Sequence, residues 1–234
     1  MRFLSAFRYD VIFQIRHGFY AAYGILTLMY IIILLNLPTL TREGATVLLI
    51  FSDISVLGYF FIGGIILLER RQGTLNTLTV TPLRPWEYLW AKVLSLTCIS
   101  VVVGVVILLT TSGLQPEILW FLPGLTLSAV LFTLLGLVVA IRSETVNEYF
   151  FRGLAYYMVF MVPLIHYFGV VEHPLFHLLP TLGMLHLLES AFWPHSPGEL
   201  WLALGTLALW SVLAWIWVKH WFRKYIILRK GGVS

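Results

Sequence analysis

Residues 69–92 read ERRQGTLNTLTVTPLRPWEYLWAK, and the reading of this stretch decides the fold. It gathers Glu69, Arg70, Arg71, Arg84, Glu87, Lys92 and two prolines into one window, in a 234-residue chain that is 59% hydrophobic and 11% charged. Soluble chains average about 25% charged residues, so this composition belongs to a membrane protein. On either side lies an apolar run of the roughly 20 residues that a membrane helix needs. The stretch is therefore a polar loop between two spans.

Working outward predicts six spans, at about 19–37, 45–68, 89–112, 117–141, 154–171 and 199–221. Lipid-facing backbone must satisfy its own hydrogen bonds, which makes helices the default. Runs such as YIIILLNL and VVVGVVILL lack the alternation of a membrane β-strand. The expected class is an all-α integral membrane protein with a single domain over 1–234. With the N-terminus inside, 14 of the 15 Lys and Arg fall on cytosolic segments and only Arg42 lies outside. That asymmetry orients the chain with both termini and the opening loop, 69–88, in the cytosol.

Three further segments complete this expectation. Residues 1–18 form an interfacial helix, because Phe3, Phe7, Val11 and Ile15 recur every fourth residue among Ser5, Arg8, Asp10, Gln14 and Arg16. No small-residue cleavage site follows, so it is not expected to be a removable signal. Residues 172–198 lack Lys and Arg and are broken by prolines, which predicts a re-entrant outer hairpin of two short helices parted near Pro180. Residues 222–234 form a basic cytosolic tail.

Function classes narrow by what the sequence lacks. It contains no G-x-x-x-x-G-K-[ST] run to cradle phosphates, so the chain is not its own ATPase. It has no G-x-S-x-G elbow and no internal repeat of the secondary-transporter kind. An intramembrane enzyme is thereby disfavoured, and a six-span channel leaves the polar loop unexplained. The single Cys98 sits in an apolar run, which rules out a disulfide framework and a Cys-based zinc site. Neither a nucleic acid partner nor a cofactor in this chain is expected.

Within the loop, Thr74 offers an N-cap, Leu75 and Leu78 share one helical face, and Pro82 and Pro85 act as stops. A helix of about two turns is marginal alone and needs a surface to pack on. That surface is either a cytosolic protein or the lipid headgroups. Asp53 is an acid inside a span. It is read either as a pathway or gating residue, or as an acid bonded to Ser52 or Ser55 near the outer interface. His166, His173, His177, His186 and His195 cluster toward the outer side with spacings that match no metal-ligand rule, and interfacial packing is preferred. Gly58, Gly63 and Gly64, and Gly136 with Ala140, permit close helix approach.

The pattern Glu69-x3-Gly73-Thr74-Leu75-x2-Leu78, then Thr81-Pro82-Leu83 and Tyr88-Leu89-x2-Lys92, resembles the ABC-2 family of ABC transporter permeases. A narrower likeness, to its fluoroquinolone export subgroup, rests on Asp53-Ile54, the run from Gly58 to Gly64, Trp86-Glu87-Tyr88-Leu89, Ala91-Lys92, His166-Tyr167, Arg223 and Tyr225. The resemblance implies that the loop is a coupling helix docking on a separate ATPase, with Glu69, Gly73, Thr74, Leu75, Leu78 and Pro82 at the motif positions. ATP and Mg would then sit on that partner, and two permease copies would pair. It also implies export of hydrophobic or amphipathic drug-like molecules across a prokaryotic cytoplasmic membrane, fluoroquinolones among them. A lipid, haem or polysaccharide-type substrate is the alternative. Asp53, Tyr59, Tyr157, His166 and Tyr167 are the expected substrate path.

Overall fold

The computed structural model describes residues 2–74, 83–113, 118–171 and 173–227. Leu75, Leu78 and Pro82 of the expected coupling helix lie outside them, as does the end of the basic tail. The described residues form helices and contain no strand. Helix α1 (Arg2–Arg16) meets α2 (Phe19–Leu35) at a bend of 65°. The bend turns on Gly18, whose φ of +78° is left-handed and suits glycine. Next, α3 (Thr39–Ser52), a π-helical segment (Asp53–Gly58) and α4 (Tyr59–Arg71) run on as one 33-residue stretch. Then come α5 (Pro85–Ser112), α6 (Ile118–Arg142), α7 (Val146–Met161) and the single turn α8 (Leu164–Tyr167). A 3₁₀ turn (Pro174–Leu178), α9 (Pro180–Glu189), α10 (Pro197–Phe222) and a second π segment (Arg223–Ile227) complete the chain.

Helix α6 is the axis of the bundle. It is apolar all round and packs against α4, α5, α9 and α10, as expected for a helix surrounded by protein. Gly136 lets the Tyr59 carbonyl come close, since a Cβ at 136 would lie 2.3 Å from that oxygen. The small residues foreseen as contact surfaces are thus already used inside the chain. Outward-facing apolar residues line α2 (Ile25, Leu28, Ile32), α7 (Phe151, Leu154, Met158) and α10 (Trp201, Leu209, Val212). A bilayer accommodates such faces where water would not.

Local chemistry explains the boundaries. Gly73, at φ +73°, ends α4 in a left-handed turn, with the Gln72 N–H bonded to the Leu68 carbonyl at 3.0 Å. Pro85 opens α5, and the Glu87 carboxylate accepts the Arg84 backbone N–H at 2.8 Å. The Thr145 hydroxyl caps α7 by accepting the Glu148 N–H.

Two expectations change. By length and composition the described helices supply four spans, or five if the bent pair α1–α2 counts as one, where the sequence predicts six. The shortfall lies in the first, where α2 alone has 17 residues, and in the fifth. Pro163 follows directly on Val162 after α7, so only 16 residues run on before the break. The second change is the face of α1. Asp10, Phe13 and Gln14 turn inward against α5, while Leu4, Tyr9, Ile12 and Ile15 are exposed. The polar residues find partners on α5, while Phe3, Phe7 and Val11 of the expected apolar face are half-buried.

Candidate functional site

Lys92 stands in the second turn of α5, fully buried among apolar neighbours. A buried ammonium must be paired. Its Nζ lies 2.6 Å from Glu69 Oε1 at the end of α4 and 2.7 Å from Asp10 Oδ1 on α1. The Tyr88 hydroxyl donates to the other Glu69 oxygen, and its ring sits 4.7 Å from the Lys92 nitrogen. Gln14 Nε2 donates to Ser95 Oγ at 2.7 Å, and that hydroxyl donates to the Lys92 carbonyl at 3.0 Å. Three elements therefore meet at one cation shared by two carboxylates. Burial pushes the Asp10 carboxyl up to about 6; Lys92 opposes this and the neighbouring Glu69 charge adds to it. Beside the cluster, Arg70 donates to the Ile141 carbonyl at 2.9 Å and to the Ser143 carbonyl, satisfying the C-terminal end of α6.

Asp53 opens the π segment near the middle of the 33-residue stretch and is 1% exposed. Neither carboxylate oxygen has a hydrogen-bond partner among the described residues. Ser55, one of its foreseen partners, bonds instead to the Tyr157 hydroxyl at 3.2 Å. π segments inside α-helices are frequent at functional sites. The Tyr59 hydroxyl donates to the Gly153 carbonyl at 3.0 Å, and the Tyr149 hydroxyl donates to the Tyr59 carbonyl at 2.6 Å. The Tyr59 and Tyr157 ring centres are 5.6 Å apart. These contacts bind the second span to α7 through an aromatic cluster.

Comparison with known proteins adds the decisive observation. The sequence profile of the fluoroquinolones export permease protein family matches residues 1–230. This chain belongs to that family. It is similar to two fluoroquinolones export permease proteins of Mycobacterium tuberculosis, from strains CDC 1551 / Oshkosh and ATCC 25618 / H37Rv. Each is 32% identical over 192 residues, covering 82% of this chain and 81% of the relative. The chain is thus a multi-pass membrane permease of the ABC-2 type and a transport subunit of a drug exporter.

In this permease the structure describes three of the expected docking residues. Glu69 faces inward, into the lysine cluster, and Gly73 makes the turn that ends α4. Thr74 is the last described residue before the segment that holds Leu75, Leu78 and Pro82. The substrate-path residues fall into two groups. Tyr59 and Tyr157 lie with Phe60 in the aromatic cluster beside the Asp53 segment. His166 and Tyr167 lie on α8 and contact the segment that follows it. The His166 ring stands 5.2 Å from that of His177, and the Tyr167 hydroxyl donates to Glu189 Oε1 at 2.7 Å.

Sequence reasoning missed the union of Asp10, Glu69 and Lys92. The signal was present: a lysine flanked by Leu89, Trp90, Ala91 and Val93 needs an acid, and few acids lie on that side of the chain.

Proposed function

We propose that the chain is the membrane-spanning subunit of an ATP-driven exporter, powered by a separate cytosolic ATPase that carries ATP and Mg and working with a second permease copy. The observation that carries this reading is the lysine cluster. Along the chain the segment between Gln72 and Arg84 follows shortly after Glu69 and precedes Lys92, and these two side chains are bound at 2.6 Å. A push on that segment reaches α4 and α5 together, and through Asp10 it reaches α1. Moved as a group, these helices would switch the bundle between inward- and outward-facing arrangements. In this mechanism Gly73, Thr74, Leu75, Leu78 and Pro82 present the coupling helix to the ATPase. Glu69 passes the motion on.

Six spans follow if α7 and α8 cross together as one broken span. Helix α1 then lies along the inner interface, and both termini face the cytosol of a prokaryotic cell. Fluoroquinolone export by the relatives supports drug-like amphipathic substrates, fluoroquinolones among them. Asp53, with the aromatic cluster beside it, would line their path.

The test is co-expression of the permease with its ATPase and measurement of drug-stimulated ATP hydrolysis. The double substitution Leu75→Asp with Leu78→Asp is expected to abolish the stimulation while leaving the protein inserted. Full stimulation in that variant would overturn the docking role.

A further inference from the structure

We propose that the cavity between α9 and the start of α10 is an outer-face subsite for the ammonium end of a planar, amphipathic substrate, a proposal that rests on the export reading above. The cavity encloses about 550 Å³, within the range of pockets that take drug-sized ligands. Its polar lining is His177, His186, Glu189, His195 and Glu199, and its apolar lining includes Leu182 and Ala203.

The two carboxylates come from different elements: Glu189 is held through its side chain, whereas Glu199 is placed by its backbone. Glu189 ends α9; its Oε1 accepts the Tyr167 hydroxyl at 2.7 Å and its Oε2 lies 3.6 Å from His195 Nε2. Glu199 stands in the first turn of α10, where Ser196 Oγ accepts its backbone N–H at 3.3 Å. An acid in a first turn is favoured by the helix dipole.

The imidazoles complete the character of the site. The His177 and His186 ring centres are 6.3 Å apart, and those of His186 and His195 are 5.8 Å apart. Among the described residues no three acid, histidine or cysteine side chains are grouped to hold a metal ion. The rings therefore offer flat faces in a row. Burial lowers the readiness of His186 to take a proton; Glu189 opposes this, and the adjacent His195 and His177 reinforce it. The lining thus joins two carboxylates to three imidazoles and contains no lysine or arginine. An organic cation with an aromatic ring matches that combination: the carboxylates take the ammonium and the imidazole faces take the ring. The cavity lies at the opposite end of α10 from the basic tail, which in the proposed orientation is the side where exported molecules leave.

The probes are a fluoroquinolone with a free piperazine amine and its N-acetyl derivative, which lacks the cation. Binding of each to the purified full chain is measured by equilibrium dialysis. Wild type is expected to bind the amine more tightly. Glu189→Gln with Glu199→Gln should weaken the amine by about tenfold and the N-acetyl compound by less than about twofold. If the double variant fails to fold, Glu199→Gln alone should weaken the amine by about threefold, since Glu199 is exposed and makes no side-chain bond in the core. Equal loss for both compounds, loss for neither, or a wild type that shows no preference for the amine overturns the subsite. ATP-driven uptake into inverted vesicles carrying permease and ATPase is measured in parallel. Amine-selective binding without uptake defeats the export reading and leaves the subsite standing.

Discussion

Glu69 and Asp53 lie on the same continuous helical stretch and are equally buried, each 1% exposed. Their surroundings are opposite. Both oxygens of Glu69 are occupied, one by Lys92 and one by Tyr88, whereas neither oxygen of Asp53 has a partner among the described residues. A buried acid with its bonds made holds elements in place. A buried acid without them costs free energy in the resting fold. The cost is retained only where another arrangement or a ligand supplies the missing bond. The comparison therefore separates an acid that ties elements together from an acid whose bonding capacity is unused among the described residues.

The largest expected effect breaks the comparison at Lys92. Lys92→Met leaves two buried carboxylates facing each other, a loss of about 3–5 kcal/mol on the pattern of broken buried pairs. In detergent the purified variant should yield little folded, monodisperse protein. Adding Asp10→Asn and Glu69→Gln removes both stranded charges and should recover most of the yield. If the single variant is as stable as wild type, the cluster does not hold the three elements together. Tyr88→Phe is a smaller cut. It removes one donor from a charged acceptor and should destabilise by about 1.5–3 kcal/mol, read as a lower melting temperature with the helical content intact.

Asp53 should behave in the opposite way. Asp53→Asn removes a charge that has no partner, so its melting temperature should match or exceed that of wild type, within about 1 kcal/mol. Transport of a cationic drug should fall, and transport of a neutral one should change less. A marked drop in stability would show that Asp53 has a bonding partner after all and would erase its contrast with Glu69.

Most of the fold was legible from the sequence, for reasons specific to each segment. The second, third, fourth and sixth spans were readable because their apolar runs exceed a bilayer's thickness, so no tertiary contact is needed to find them. In the fifth, Pro163 interrupts an otherwise apolar run after the 16 residues of α7, and a hydropathy window does not register a missing N–H. The inward turn of two polar residues of α1 was hidden for a tertiary reason. Asp10 and Gln14 are polar in any local reading, and only Lys92 and Ser95, more than 80 residues away, turn them inward. In the candidate site, Asp53 was visible as a lone acid in an apolar run. The partners of Glu69 and the joining of Glu189 to Tyr167 depend on helix packing, which spacing along the chain does not encode.

The smallest expected effect tests the third corner of the lysine cluster. Burial raises the Asp10 carboxyl from its ordinary 3.8 to about 6. The folded chain therefore holds this proton more tightly than the unfolded chain does. The stabilisation is fully present below about 3.8 and is lost as pH rises through about 6. Between pH 5 and pH 7.5 the difference is on the order of 1 kcal/mol, favouring the lower pH. Protonation leaves Glu69 and Lys92 as a balanced pair and removes the surplus negative charge. The melting temperature of wild type should thus be higher at pH 5 than at pH 7.5, and in Asp10→Asn this difference should shrink. An unchanged pH slope in that variant would place the proton elsewhere. Glu69 would then be the only acid that Lys92 needs, and α1 would be attached by Phe13 and the Gln14–Ser95 bond alone.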